Sequence, residues 1–376
     1  ARIGSMGGFA KSLLGAQFVI SCVAIVVGII LTKNAKFQQE VDYGYNINDV
    51  IVVPVDNLQE YTSFTDAIRK FPEVGQIAGS THQIAEWNSA YQATVHDNGN
   101  TFKAFVAHVG GEAYMKAMGL RLTTGRPFHE GSGLDADRSV IVNETFAQQH
   151  RLKDPVGQQV KLDSAYYTII GVIEDYKQLG LHALVPPCIL RLAKPEDFKY
   201  VIVQSRNELT ELNVQMEKEW NRTVINKPYR AFFQADVVSK EQDLNRGFKT
   251  IAIGLALVTI VLSASGLFAL VSLTIISRQK EIAMRKVLGA TVSHLILLMN
   301  KDLVKIVAIA FVIGSSLGYL FVDKFIFQFI LVYHTTVGVD PFLLTLLFML
   351  VSCALTVGFK VYVAATSNPV DVLKDK

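Results

Sequence analysis

Charged residues are scarce in this chain, and the shortage is local. Lys, Arg, Asp and Glu make up 18% of 376 residues, and apolar types make up 50%. That apolar share lies at the upper edge for a soluble globular protein. Four runs hold no Asp, Glu, Lys, Arg or His at all: Leu13–Leu31, Ile251–Ile276, Ile306–Val322 and Phe342–Phe359. A bilayer core about 30 Å thick takes roughly 20 mostly apolar helical residues, so each run reads as a membrane span. Ion-coupled carriers and proton pumps usually need an ionisable group at membrane depth. Its lack argues against a secondary transporter. The net charge of +3 gives no case for a nucleic-acid partner. The three cysteines are Cys22, Cys188 and Cys353, and two lie inside apolar runs. They exclude a disulfide framework and offer no zinc spacing.

Catalytic signatures are missing as well. His82, His96, His108, His129, His150 and His182 lie between the first two runs, and no pair has HExxH spacing. There is no GxSxG elbow and no local Cys–His signature. Glu174 and Asp175 are adjacent after an expected strand, where neighbours point to opposite faces, so they read as a solvated turn. The segment Gly7–Ser12 (GGFAKS) ends like a phosphate-binding loop, but Ala10 stands where that loop needs Gly and no strand precedes it. No catalytic, cofactor-binding or metal-ligating residue is expected in this chain. The first run is long for a signal-peptide core, and no A-x-A site follows it.

The flanking charges orient the spans. Arg278, Lys280, Arg285, Lys286 and Lys301 lie between the second and third runs, against Lys324 alone between the third and fourth. The first of these loops is therefore expected to be cytoplasmic and the second external. Arg2 and Lys11 place the N-terminus inside, and Lys360, Lys374 and Lys376 place the C-terminus inside. The expected order is a cytoplasmic flank (1–12), span 13–31, an external domain (33–247) and span 251–276. A cytoplasmic segment (277–302), span 303–322, an external loop (323–340), span 342–359 and a cytoplasmic tail (360–376) follow. The fold class is a membrane protein of four transmembrane helices with one large mixed α/β extracytoplasmic domain between the first two.

Local patterns fill in this outline. Gly266, beside Ser263 and Ser265, and the GxxxG pair Gly314 and Gly318 permit close helix approach. That packing serves this chain alone or a second copy. In the external domain, Asp49–Val55, Tyr166–Val172 and Tyr200–Gln204 read as strands. Ser63–Phe71 reads as a helix ended by Pro72, and Glu112–Met118 as one stopped by Gly119. The glycines and aspartates of 131–137 read as an exposed turn. In the cytoplasmic segment, Arg278–Leu288 has helical spacing. Glu281 and Arg285 stand four apart in the order favoured for an ion pair, and Gly289 is suited to end the helix. Such a basic amphipathic helix lies on anionic lipid or docks in a groove of a cytoplasmic partner.

RQKEIAMRKVLGAT (278–291) resembles the signature of FtsX/MacB-type permeases, the membrane subunits of a class of ABC systems. The resemblance runs along the chain. FAKSLLGAQFVIS at Phe9–Ser21 is similar to the family's entry to the first helix, and AYMKAMGLRLTTGRPF at Ala113–Phe128 to its external motif. SVIVNETFAQQ (139–149), DPVGQQV (154–160), YTIIGVIEDY (167–176), SASGLFALVSL (263–273) and NPVDVLK (368–374) resemble the segments that follow. The resemblance implies a MacB-like periplasmic core of two α/β subdomains, the second inserted in the first. It implies that Arg278, Lys280, Glu281, Arg285, Lys286 and Gly289 form a coupling helix seated on a separate cytoplasmic ABC ATPase dimer, which holds the ATP and Mg. It also implies mechanotransmission for export or extraction from the periplasmic side of the inner membrane, without passage through the four helices. The alternative within the family is an FtsX-like transmitter acting on a periplasmic partner. The entry motif resembles the C-terminal half of two-half Bacteroidetes-type permeases, so the expected partners include a second permease half or a second copy, and membrane lipid. The loop 323–340 follows no pattern of the family.

Overall fold

The computed structural model describes residues 8–85, 91–97, 100–181, 183–225, 227–277 and 292–366. In chain order the described helices are α1 (Gly8–Glu40), α2 (Leu58–Ile68), α3 (Glu112–Met118), α4 (Gly133–Arg138), α5 (Glu144–Gln149), α6 (Leu209–Thr223), α7 (Gln234–Ser277), α8 (Val292–Phe321) and α9 (Asp340–Thr366). The strands are β1 (Val50–Pro54), β2 (Val74–Ser80), β3 (Tyr91–Asp97), β4 (Asn100–Val109), β5 (Leu122–Gly125), β6 (Ser139–Asn143), β7 (Gln159–Leu162), β8 (Ala165–Ile173), β9 (Cys188–Leu192), β10 (Tyr200–Ser205) and β11 (Phe232–Phe233). The chain divides into a membrane unit, Ala1–Gln39 with Leu244–Lys376, and an extracytoplasmic unit, Glu40–Asp243.

In the membrane unit, α1, α7, α8 and α9 each carry a stretch long and apolar enough to span a bilayer. Leu14, Phe18, Cys22, Val26 and Ile30 of α1 are buried with Leu267, Val307, Ala310, Met349 and Val357 from the other three helices. Of the four, α1 is the most enclosed and α7 the least. The apolar run of α1 ends at Leu31, yet the helix continues through KNAKFQQE to Glu40, because nothing in that stretch breaks a helix before Gly44. Beyond α8 the chain winds through a π-helical stretch, Val322–Ile326, and one further turn, Phe327–Phe329.

The extracytoplasmic unit has two parts. Strands β11-β1-β10-β2 form an antiparallel sheet, with α2 joining β1 to β2 and α6 joining β10 to β11. This is the split βαβ arrangement of ferredoxin-like folds. One face buries Ile51, Val53, Val201 and Val203 under Phe64 of α2 and Leu212, Met216 and Trp220 of α6. The period-2 alternation of these strands sets that face. Helix α2 begins five residues before the sequence expectation, because Asn57 accepts the Glu60 N–H at 2.9 Å and Glu60 reaches back to the Asp56 N–H. That side-chain cap satisfies first-turn donors that otherwise face only water.

Where a ferredoxin-like fold has a hairpin between β2 and β10, this chain inserts a second part. Strands β4, β3, β7, β8, β6 and β9 pair in that order, and β9 pairs back onto β4, closing a ring. Small and branched side chains fill it, among them Ala93, Val95, Ala104, Val106, Val142 and Ile189. Closure leaves these strands no free edge. The expected turn at 131–137 is instead the helix α4, which starts because the Ser132 hydroxyl accepts the Asp135 N–H at 3.3 Å.

The two parts join between β2 and β4, with α3 packed on β2. β2 pairs with β4 only at Ser80 and Val109, and the Gly110 N–H donates to the Gly79 carbonyl at 2.9 Å. The Phe198 ring covers Gly79 and its tip reaches Gly110: a Cβ on Gly79 would meet the ring at 2.1 Å and one on Gly110 would meet its Cζ at 3.2 Å. Gly79→Ala should therefore destabilise the extracytoplasmic unit by about 1–3 kcal/mol through overpacking. Urea unfolding of the full chain followed by tryptophan fluorescence checks this, and adding Phe198→Leu should restore most of the loss.

Candidate functional site

The small residues singled out from sequence line the contacts of α1. A Cβ on Gly314 would meet the Cys22 Cβ at 2.6 Å and the Val19 carbonyl oxygen at 2.8 Å, and one on Gly318 would meet Val26 at 3.3 Å. The GxxxG of α8 thus lets its backbone rest on α1. Gly266 of α7 meets Gln17, whose Oε1 would lie 2.3 Å from a Cβ there. Beside it the Ser21 and Ser263 hydroxyls lie 2.8 Å apart, Ser21 also donates to the Thr259 carbonyl at 2.8 Å, and Ser263 donates to the Gln17 carbonyl at 3.3 Å. The sequence reading missed Gln17 and Ser21. Their signal was two polar residues four apart in an otherwise apolar run, the spacing of interhelical hydrogen-bond partners.

In the extracytoplasmic unit the AYMKAMGLRLTTGRPF segment supplies packing, turn and ion-pair residues. Tyr114, Met115 and Met118 of α3 are buried. Gly119 closes α3 at φ +65°, and Asn46 holds that end through the Ala117 and Met118 carbonyls. Gly125 has φ +85°, and a Cβ there would lie 2.3 Å from the Ile170 carbonyl oxygen. Arg126 grips Asp135 with two bonds of 2.8 and 2.9 Å. The His129 N–H and the Ser139 hydroxyl complete the shell of this carboxylate, which is 1% exposed. The Arg126 hydrogen bonds outweigh burial and hold the Asp135 carboxyl well below the usual carboxylate range. Glu174 pairs with Arg121 at 2.7 Å. Asp175 is no solvated turn residue: it accepts from Asn143, the Thr145 N–H and the Thr145 hydroxyl, and so fixes the start of α5.

Two histidines stand at the joint. His82 is 4% exposed, between Ser80 and the Tyr114 ring. Burial, then the nearby His108, lowers its pKa to about 4. Burial, then the Arg191 charge, lowers that of His108 to about 4. Among the described residues no group of three His, Cys, Asp or Glu side chains is placed to hold a metal. Open recesses of about 400 Å³ and about 480 Å³ are lined by Pro54, Gln83, Tyr200, Phe232 and Lys240, and by Gln76, Glu112, Lys116, Phe128, His129 and Glu130. Arg278, Lys280, Glu281, Arg285, Lys286 and Gly289 lie outside the described residues.

Residues 11–224 match the MacB-like periplasmic core domain, and residues 253–369 match the FtsX-like permease C-terminal region. The chain belongs to the FtsX/MacB family of ABC permeases. Among solved structures, this permease is similar to the periplasmic region of MacB from Actinobacillus actinomycetemcomitans. The two are 13% identical, with 52% of this chain and 94% of that one covered and a TM-score of 0.39. It is also similar to the extracellular domain of the noncanonic ABC-type transporter YknZ from Gram-positive bacteria, at 15% identity, with 50% and 100% covered and a TM-score of 0.35. No curated protein matches the chain.

Two tests follow from these contacts. Gly314→Leu should lower the thermal midpoint of the permease in detergent, since the new side chain has only the α1 backbone to enter, at a cost of about 1–3 kcal/mol or more. Gly254→Leu, at a position with nothing within 4 Å of a Cβ, should leave the midpoint in place. The histidines set a pH dependence. The unfolded chain binds protons near the ordinary histidine pKa of 6.5, and the folded one binds them only near 4. Stability should hold above pH 6.5 and fall as pH drops from there towards 4. Denaturant midpoints measured across that range should show a shallower fall in His82→Gln.

Proposed function

We propose that this permease couples a separate cytoplasmic ABC ATPase dimer to movement of its extracytoplasmic domain, driving export or extraction of a substrate such as an antimicrobial compound, a peptide or a lipoprotein. The observation that carries this reading is the pairing of the two family matches with membrane runs that hold no ionisable residue. A chain with a permease-type membrane region and no charged pathway at membrane depth is suited to transmitting force rather than to conducting a polar substrate. Helix α7 supports the same reading, since it runs without interruption from Gln234 to Ser277, and a continuous helix carries displacement along its axis.

In this reading the chain holds no cofactor, and ATP and Mg bind on the partner. Arg278, Lys280, Glu281, Arg285, Lys286 and Gly289 form the coupling helix, both termini are cytoplasmic, and Glu40–Asp243 faces the periplasm. A second permease half or a second copy completes the assembly. The FtsX-like alternative, a transmitter acting on a periplasmic hydrolase or sensor kinase, shares the charge-free spans. The size of the extracytoplasmic unit favours the exporter, because division-type members carry a much smaller domain.

The test is recovery of partners from native membranes under mild detergent, read by mass spectrometry. A small P-loop ATPase should accompany the wild-type chain and fall at least tenfold with Arg285→Glu. If no ATPase is recovered even after cross-linking at 278–289, that segment is a lipid-facing surface helix and the coupling reading fails. Lipoprotein or peptide in the same sample supports extraction, and a cell-wall hydrolase supports the transmitter.

A further inference from the structure

The strand ring of the extracytoplasmic unit is stoppered at one end and open at the other. Near the start of β4 the Phe102 ring packs against Phe146 of α5 and against His150, with centroids 5.7 and 4.6 Å apart. Side chains alternate in and out along each strand from there. Ala104 and Val106 of β4 and Ile189 of β9 point into the ring. The next inward positions are His108 and Arg191, which pair across the parallel β4–β9 ladder. Tyr167 of β8 packs against the same core. His108, Arg191 and Tyr167 are all partly exposed, so solvent reaches this end.

Arg191 differs from the other buried polar groups of the unit. Asp135, Asn143 and Asp175 each have several hydrogen-bond partners. The Arg191 Nε is buried without one, and among the described residues no carboxylate pairs with the guanidinium. Its contact is with the Tyr167 ring, whose centroid lies 4.5 Å from Cζ. A ring face steadies a guanidinium and takes up none of its in-plane N–H donors. Buried charges are otherwise paired and hydrogen-bonded, so Arg191 is a braced cation whose donors no protein group uses. Its charge is felt at His108: burial, then Arg191, lowers the His108 pKa, and Asp197 raises it. A phosphate dianion would meet a single cation here with the Asp197 carboxylate close by. A carboxylate carries one charge and is planar, and the guanidinium fork matches it with two parallel N–H···O bonds.

We propose that Arg191, braced by Tyr167 and flanked by His108, is a binding site for a small carboxylate ligand at the open end of the strand ring. The site is independent of the coupling reading, and its test needs no ATPase.

The test is protection of the full chain in detergent against phenylglyoxal, read at each arginine by peptide mass spectrometry. Arg69, exposed at the end of α2, is the internal control. N-acetylglycine should slow modification of Arg191 by about threefold or more, rising with occupancy, and leave Arg69 unchanged. The neutral N-acetylglycinamide should protect neither. N-acetylglycine should also give a saturation-transfer nuclear magnetic resonance signal with the wild-type chain that is lost in Arg191→Gln and kept in Arg69→Gln. An Arg191 that does not react without ligand, equal protection by acid and amide, or a transfer signal retained in Arg191→Gln would overturn the site. Stronger protection by inorganic phosphate than by N-acetylglycine would overturn the choice of a carboxylate. Should Arg191→Gln fail to insert, protection in the wild-type chain decides alone.

Discussion

Close approach of α1 to its neighbours is the constraint on which the membrane unit rests. Lipid tails are as apolar as leucine, so burial alone does not draw helices together in a bilayer, and contact must come from backbone proximity and polar bonds. Gly314 and Gly318 provide the first on one side of α1, and Ser21 with Ser263 provides the second on the other. With those contacts made, α1 is enclosed, and the apolar faces of α7 and α9, such as Leu257, Val261, Leu347 and Leu355, are left outward. Outward apolar faces are what a lipid-embedded permease requires.

The extracytoplasmic unit uses its buried polar groups for architecture. Asp135 ties the loop after β5 to α4 and β6. Asn143 accepts the Phe146 and Cys188 N–H groups and donates to Asp175 and the Pro186 carbonyl. Each is a buried polar group with its partners supplied, the condition under which burial stops being costly.

The parts of this fold legible in the sequence were those written locally. Four charge-free runs announced the spans, and Gly119 announced the end of α3, because each signal lies within the element it marks. The ring of six strands was not legible, since β4 closes onto β9 across some 80 residues of chain and periodicity carries no record of partners. The extension of α1 past Leu31 was missed because hydropathy falls there while helix propensity does not. Asp175 was misread for want of Asn143 and Thr145, which approach it only in the folded chain. The packing glycines were legible as small residues, and what they touch was not. The coupling role expected of residues 278–289, which lie outside the described residues, rests on family resemblance and charge pattern.

The insertion of one part of the extracytoplasmic unit into the other bears on the order in which the chain can fold. Ser80 and Tyr200 are paired neighbours in the outer sheet, although 119 residues separate them. Joining them across a flexible loop of that length costs about 4 kcal/mol of chain entropy. The strand ring removes most of that cost if it forms first, because Val109 of β4 sits on Ser80 and the chain leaving β9 returns through Ala193, whose N–H donates to the Val109 carbonyl. A completed ring thus presents both ends of the interrupted sheet side by side. Newly translocated chain therefore has a route in which the inserted part acts as the template, and the sheet built from the two outer segments closes last.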